Sequence, residues 1–301
     1  MTSRRRSARP ASRWIGLSVL ALLGAPDLAR AGPADLFHER TTISAAGERC
    51  GLFSANVAAA LSAAVVQARG AALRAGVDEN TLNLVEHDAR TRGGRADCKA
   101  PLTQASAQRV RNAFAGFTKL TRLSYPGEVA DWRADRTPAK DIRWRLVQEA
   151  RFGDDRLTFG LAGQGTPGSL IAVARFADGA KPYAARLVLR DRQRSVGPYL
   201  DRVQSGSAAG LPLQKRMPPS SALTSFGAQA RSRAGQDLLP KDETSGWAFR
   251  FPEAASVALS GLDPREAVAV EFIFPNDRVR RAYVEVGDFA AGRAFLKLAT
   301  R

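Results

Sequence analysis

Ile142-Arg143-Trp144-Arg145-Leu146-Val147-Gln148-Glu149-Ala150-Arg151-Phe152 is apolar at Ile142, Trp144, Leu146, Ala150 and Phe152, and charged at Arg143, Arg145, Glu149 and Arg151. A period of two belongs to a strand with one buried and one wet face. The same rhythm continues downstream. Gly153-Asp154-Asp155 is a turn, and Leu157, Phe159 and Leu161 mark a second strand. Leu170–Phe176 follows the loop Gly163–Gly168 as a third strand. Beyond the turn Ala177-Asp178-Gly179, a fourth puts Tyr183, Ala185, Leu187 and Leu189 on one face. Short connections join strands that run antiparallel, so this stretch predicts a meander.

Upstream the period changes. Leu52–Ala75 carries Val57, Leu61, Val65, Ala68 and Ala72 at helical spacing, with Ser54 as N-cap and Gly76 just past the end. A short turn leads to a second helix near Thr81–Thr91, with Leu82, Val85 and Ala89 on one side. Helices joined this tightly lie antiparallel. Cys50 precedes the first and Cys98 follows the second, so the hairpin brings the two cysteines together. A bond between them is worth about 4 kcal/mol by loop closure. A third helix is expected near Thr103–Leu120, with Val110, Phe114 and Phe117 aligned.

Downstream, 203–222 is rich in Ser, Gly and Pro and reads as a linker. After it come strands at 223–232 and 247–251, a short helix to Leu262, strands Ala267–Phe274 and Val279–Val286, and a last helix behind Asp288. The whole predicts an α+β chain: a disulfide-stapled helical module over 32–122, an antiparallel meander over 123–202, the linker, and an α+β module over 223–301. The hairpins 170–191 and 267–288 are alike in length but share few identities, which is too little to argue duplication.

The first 31 residues have the pattern of a leader. Arg4, Arg5, Arg6, Arg9 and Arg13 precede twelve apolar or small residues, Trp14–Ala25. That run is too short to span a bilayer and fits a secretory signal peptide. Ala29-Arg30-Ala31 supplies a small-x-small cleavage pattern, so the expected mature chain starts at Gly32, is exported, and in a bacterium with an outer membrane is periplasmic. Export also favours the Cys50–Cys98 bond. No further membrane span is expected after cleavage.

Beyond the leader, 39 basic and 28 acidic residues remain, a net charge of about +11. Seven of the 45 basic residues of the whole chain are Lys, and Ala and Gly abound, a bias that GC-rich coding produces without selection on function. No nucleic-acid motif is present, and nucleic acid is not an expected partner. Gly163-Gln164-Gly165-Thr166-Pro167-Gly168 matches GxGxxG literally, but it joins two strands rather than a strand and a helix, so it reads as a hairpin loop. His38 and His87 are the only histidines and both cysteines are committed, so neither a metal site nor a Ser-His-Asp triad is expected, and no cofactor is implied.

Two readings of function remain. Arg143, Arg145 and Arg151 share one face of the first strand, and Arg186 and Arg190 one face of the fourth. In one sheet with a common core face, these guanidinium groups would form a surface for phosphate or carboxylate. That makes the chain a non-enzymatic envelope protein that engages an anionic polymer, a lipid surface or a protein partner. The alternative is an envelope-directed hydrolase working through the carboxylates Glu271, Glu285 and Asp288 of the C-terminal module.

Overall fold

The computed structural model describes residues 32–165, 167–195, 197–200 and 210–298. The leader expected over 1–31 and residues 203–209 of the expected linker lie outside the described residues. From Gly32 onward the chain is one compact unit.

Four helices come first: α1 (Pro33–Cys50), α2 (Ala55–Arg74), α3 (Glu79–Gly94) and α4 (Pro101–Phe117). Strands β1 (Arg122–Tyr125), β2 (Trp132–Asp135), β3 (Arg143–Phe152), β4 (Asp155–Gly163), β5 (Leu170–Arg175) and β6 (Ala184–Arg190) follow. Then come β7 (Leu223–Gly227), β8 (Ala230–Arg233), β9 (Trp247–Arg250), α5 (Glu253–Ser260), β10 (Ala267–Ile273), β11 (Val279–Glu285) and α6 (Phe289–Leu296). The strands form two antiparallel sheets, one ordered β1-β2-β3-β4-β5-β9-β8 and the other β11-β10-β6-β7. The α+β class and the stapled helical region are as the sequence implies.

The inner faces of the sheets share one core. Leu157, Phe159 and Leu161 of β4 and Phe249 of β9 lie on one side, with Leu187, Val270 and Phe272 on the other. Phe272 stacks on Phe152 at 5.9 Å and meets Phe176 edge-on at 5.3 Å, so rings bridge the sheets. Helix α6 closes one end: Phe289 packs on Trp132 and Phe295 on Phe117. The edge strand β11 is stitched to β3 by a side chain. Gln148 accepts from the Glu285 N–H (2.9 Å) and donates to the Glu285 carbonyl (3.3 Å), in the place of a backbone partner.

The helical region differs from the sequence expectation in an instructive way. Residues 33–50, expected as an arm, form α1, which buries Phe37, Thr41, Ala46 and Gly47. Helix α3 packs chiefly along α1 rather than against α2. Cys50 and Cys98 are bonded, but the bond ties the end of α1 to the α3–α4 loop instead of closing an α2–α3 hairpin. Gly93 of α3 makes that packing possible, because a Cβ there would collide with the Thr42 carbonyl oxygen. By length and composition alone α2 is long and apolar enough to cross a membrane. Its apolar residues Ala60, Leu61, Ala68 and Leu73 are buried in the described structure.

The sheets depart from the sequence reading in further ways. Strand β6 does not continue the meander: it leaves β5 and joins the other sheet between β10 and β7. The segments on either side of 203–222 share both sheets, since β9 pairs with β5 and β10 with β6. The described part of the expected linker is built in, with Arg216 1% exposed and paired to Glu128 at 2.9 Å. Strands β1 and β2, not expected at all, add an edge to β3.

Candidate anion-binding site

The register of β3 decides where its arginines go. Trp144 pairs with Ala162 but Leu146 with Leu161, so Arg145 is the extra residue of a β-bulge. Gly160, at φ +153°, lies against the Leu146 carbonyl where a Cβ would collide, and its missing side chain admits the bulge. The bulge turns Trp144 to the outer face, with Ala162, Ile171 and Leu238, while Leu146 enters the main core. Arg145 is 2% exposed and donates to the carbonyls of Gly163 (3.0 Å) and Thr137 (2.5 Å). It knits backbone and offers nothing to a ligand.

The five arginines singled out by the sequence therefore do not share one face. Arg143, half-buried at the start of β3, and exposed Arg151 at its far end belong to the seven-stranded sheet, and Arg186 and Arg190 to the four-stranded one. Arg190 is buried and bonds Glu266 through two nitrogens, at 2.5 and 3.0 Å. Burial pushes the Glu266 carboxyl up, with Arg190 opposing that rise. Arg186 donates to Glu271 at 2.5 Å, and Arg281 donates to the other oxygen of Glu271 at 2.5 Å. This Arg-Glu-Arg row runs across β6, β10 and β11, where Glu271 faces both partners in register.

Arg151 is different. Among the described residues its guanidinium makes no ion pair and no hydrogen bond; its charge reaches Asp242, whose carboxyl is held below its ordinary value by a hydrogen bond from Arg156 and, more weakly, by Arg151. It lines a groove of about 580 Å³ where the end of β3 meets the start of β11, together with Arg280, Arg281, Tyr283, Gln214 and Asp155. Arg280 is committed to structure: it bonds Asp155 at 3.0 Å and Asp178, and caps the rings of Phe176 and Phe274 at 5.5 and 5.1 Å. The hydrogen bond from Arg280 holds the Asp178 carboxyl down at about 2. Counting the Arg186–Glu271 row, three guanidinium groups are bonded to Asp155, Asp178 and Glu271, and Arg151 is bonded to none of these acids. Arg151, Arg281, Gln214 and Tyr283 give the groove wall guanidinium, amide and phenol donors, the groups that hold a phosphate or carboxylate.

The carboxylates considered for catalysis all have partners. Glu285 is fully buried, and its oxygens accept from the backbone N–H groups of Glu128, Val129 and Ala130 at 2.9, 2.8 and 3.1 Å. It anchors the 127–130 loop. Asp288 is held by both terminal nitrogens of Arg74, at 2.8 and 2.9 Å, which ties α2 to the start of α6. His38 bonds Asp88 at 2.9 Å, far in sequence from any of these acids. No group of three or more potential metal ligands occurs among the described residues.

Arg280, Arg281, Tyr283 and Gln214 entered the site without being singled out from sequence. The adjacent pair Arg280-Arg281 was visible, but its place beside Arg151 depends on the β3–β11 seam, which joins residues more than a hundred positions apart. Comparison with known proteins gave no matching family model, no similar curated protein and no similar solved structure.

Proposed function

We propose that this chain is an exported, non-enzymatic envelope protein that binds an anionic ligand in the groove marked by Arg151, Arg281, Gln214 and Tyr283. The observation that carries the reading is Arg151, whose guanidinium makes no ion pair or hydrogen bond among the described residues, at a groove whose other cations are bonded to acids. A phosphate or carboxylate is the partner such a group takes, by charge-assisted and often bidentate hydrogen bonds. The arginine-rich leader pattern over 1–31 and the Cys50–Cys98 bond support an oxidising compartment outside the cytoplasm. The net positive charge favours approach to anionic surfaces there.

The test is co-sedimentation of the protein with phosphatidylglycerol vesicles and with purified cell-envelope fragments, from about 0.05 to about 0.5 M salt. Binding at low salt that weakens steeply as salt rises supports the reading and names the ligand class. Absence of binding to both probes at low salt would remove it.

A further inference from the structure

Strand β8 ends the seven-stranded sheet, and all four of its residues are exposed. Its register with β9 sets which backbone groups face outward. The Ala234 N–H bonds the Gly246 carbonyl, so the even-numbered residues of β8 point their backbone groups at β9. Antiparallel pairs alternate, so the N–H and C=O groups of Arg231 and Arg233 point away from the sheet. Those same residues put their guanidinium groups over the ring of Trp247, at 3.7 and 4.0 Å from its centre. Residues i and i+2 of a strand stand about 6.7 Å apart, which leaves room for one ring between them. Trp247 thus fixes two cations in place on a free edge.

The opposite face of the same edge is of another kind. Ala230 and Ser232 border a hollow of about 240 Å³ floored by Ile171, Leu238 and Ala248, with Arg233, Arg250 and one acid, Asp237, at its rim, which leaves room for small apolar side chains rather than further acids. Arg231, Arg233 and Arg250 have no ion pair among the described residues. An edge like this excludes a second copy of itself, because pairing β8 with β8 sets arginine against arginine.

We propose that β8 is a docking edge for an extended acidic segment of a partner protein, which adds a strand to the sheet and sets its acids against Arg231 and Arg233 and small apolar side chains toward the hollow. Main-chain pairing supplies affinity and the alternation of side chains supplies selectivity. This surface is separate from the Arg151 groove and does not depend on it.

The probe is a labelled peptide of about ten residues alternating glutamate and valine, followed by fluorescence anisotropy. The expected result is saturable binding that falls at least about tenfold when alternate peptide nitrogens are methylated. Arg231→Glu with Arg233→Glu should lose that peptide and gain the matching lysine–valine peptide, a swap that also shows the variant is folded. Three outcomes overturn the proposal: methylation without effect, polygalacturonate or phosphatidylglycerol vesicles binding at this edge as tightly as the peptide, or no binding at all. Peptide binding lost in Arg151→Glu but kept in the Arg231→Glu, Arg233→Glu variant would also overturn it, and would leave the groove reading standing.

Discussion

Arg145, Arg190 and Arg151 have the same side chain and three different fates, and burial with partners is what separates them. Arg190 shields a buried carboxylate, so Arg190→Ala strands Glu266 in the core. The expected loss is about 3 kcal/mol of stability, read from the urea midpoint, with the groove left intact. Glu271 makes the complementary case. Burial pushes its carboxyl up, but hydrogen bonds from Arg281 and Arg186 outweigh that and hold it below its ordinary value. A carboxyl held low in the folded state contributes stability that is full above the unfolded value, about 4.3, and is lost as pH falls through the folded one. Stability should therefore decline on acidification below about pH 4.3, and the part due to Glu271 should vanish in an Arg186→Ala, Arg281→Ala variant, as urea midpoints across a pH series would show. None of this was legible in the sequence, where alternation assigned all five arginines to wet faces. The bulge at Arg145 and the pairing of β6 with β10 are set by tertiary packing and leave no local signature.

Long, regular elements were legible and short or weakly patterned ones were not. The α2 stripe, the β4 alternation and the β10–β11 hairpin each carry several apolar residues at a fixed period, and their positions agree with the structure. Helix α1 buries only Phe37, Thr41, Ala46 and Gly47, too small and polar a stripe to announce a helix. Strands β1 and β2 are four residues each, and half of their residues face away from the core. The disulfide was foreseen from cysteine count and compartment, while its geometric rationale was not, since the partner of α3 is the helix that periodicity missed. The bond spans 48 positions and holds α1, α3 and α4 together. Replacing both cysteines by alanine should lower stability by about 4 kcal/mol, measured by urea unfolding, and reductant should then have no further effect on the variant.

At the scale of the molecule, helices and two sheets make one unit because charged and polar side chains cross between elements. Arg74 reaches Asp288, Gln148 reaches Glu285, and Arg216 reaches Glu128. The buried acids are held in the same way, Asp155 by Arg280, Glu266 by Arg190, Glu271 by Arg186 and Arg281, and Asp288 by Arg74, which leaves few buried ionisable groups free for chemistry. Among the described residues, Arg151, Arg231 and Arg233 are exposed cations without an ion pair. The proposed anion ligand binds at Arg151. The direct measurement is the affinity of the Arg151→Glu variant for phosphatidylglycerol vesicles and envelope fragments at low salt, beside Arg109→Glu, an exposed position on α4. Reversal at 151 should weaken binding at least about tenfold, while reversal at 109 changes it little. Equal binding by both variants would mean that net charge alone drives association, and the groove would lose its assignment.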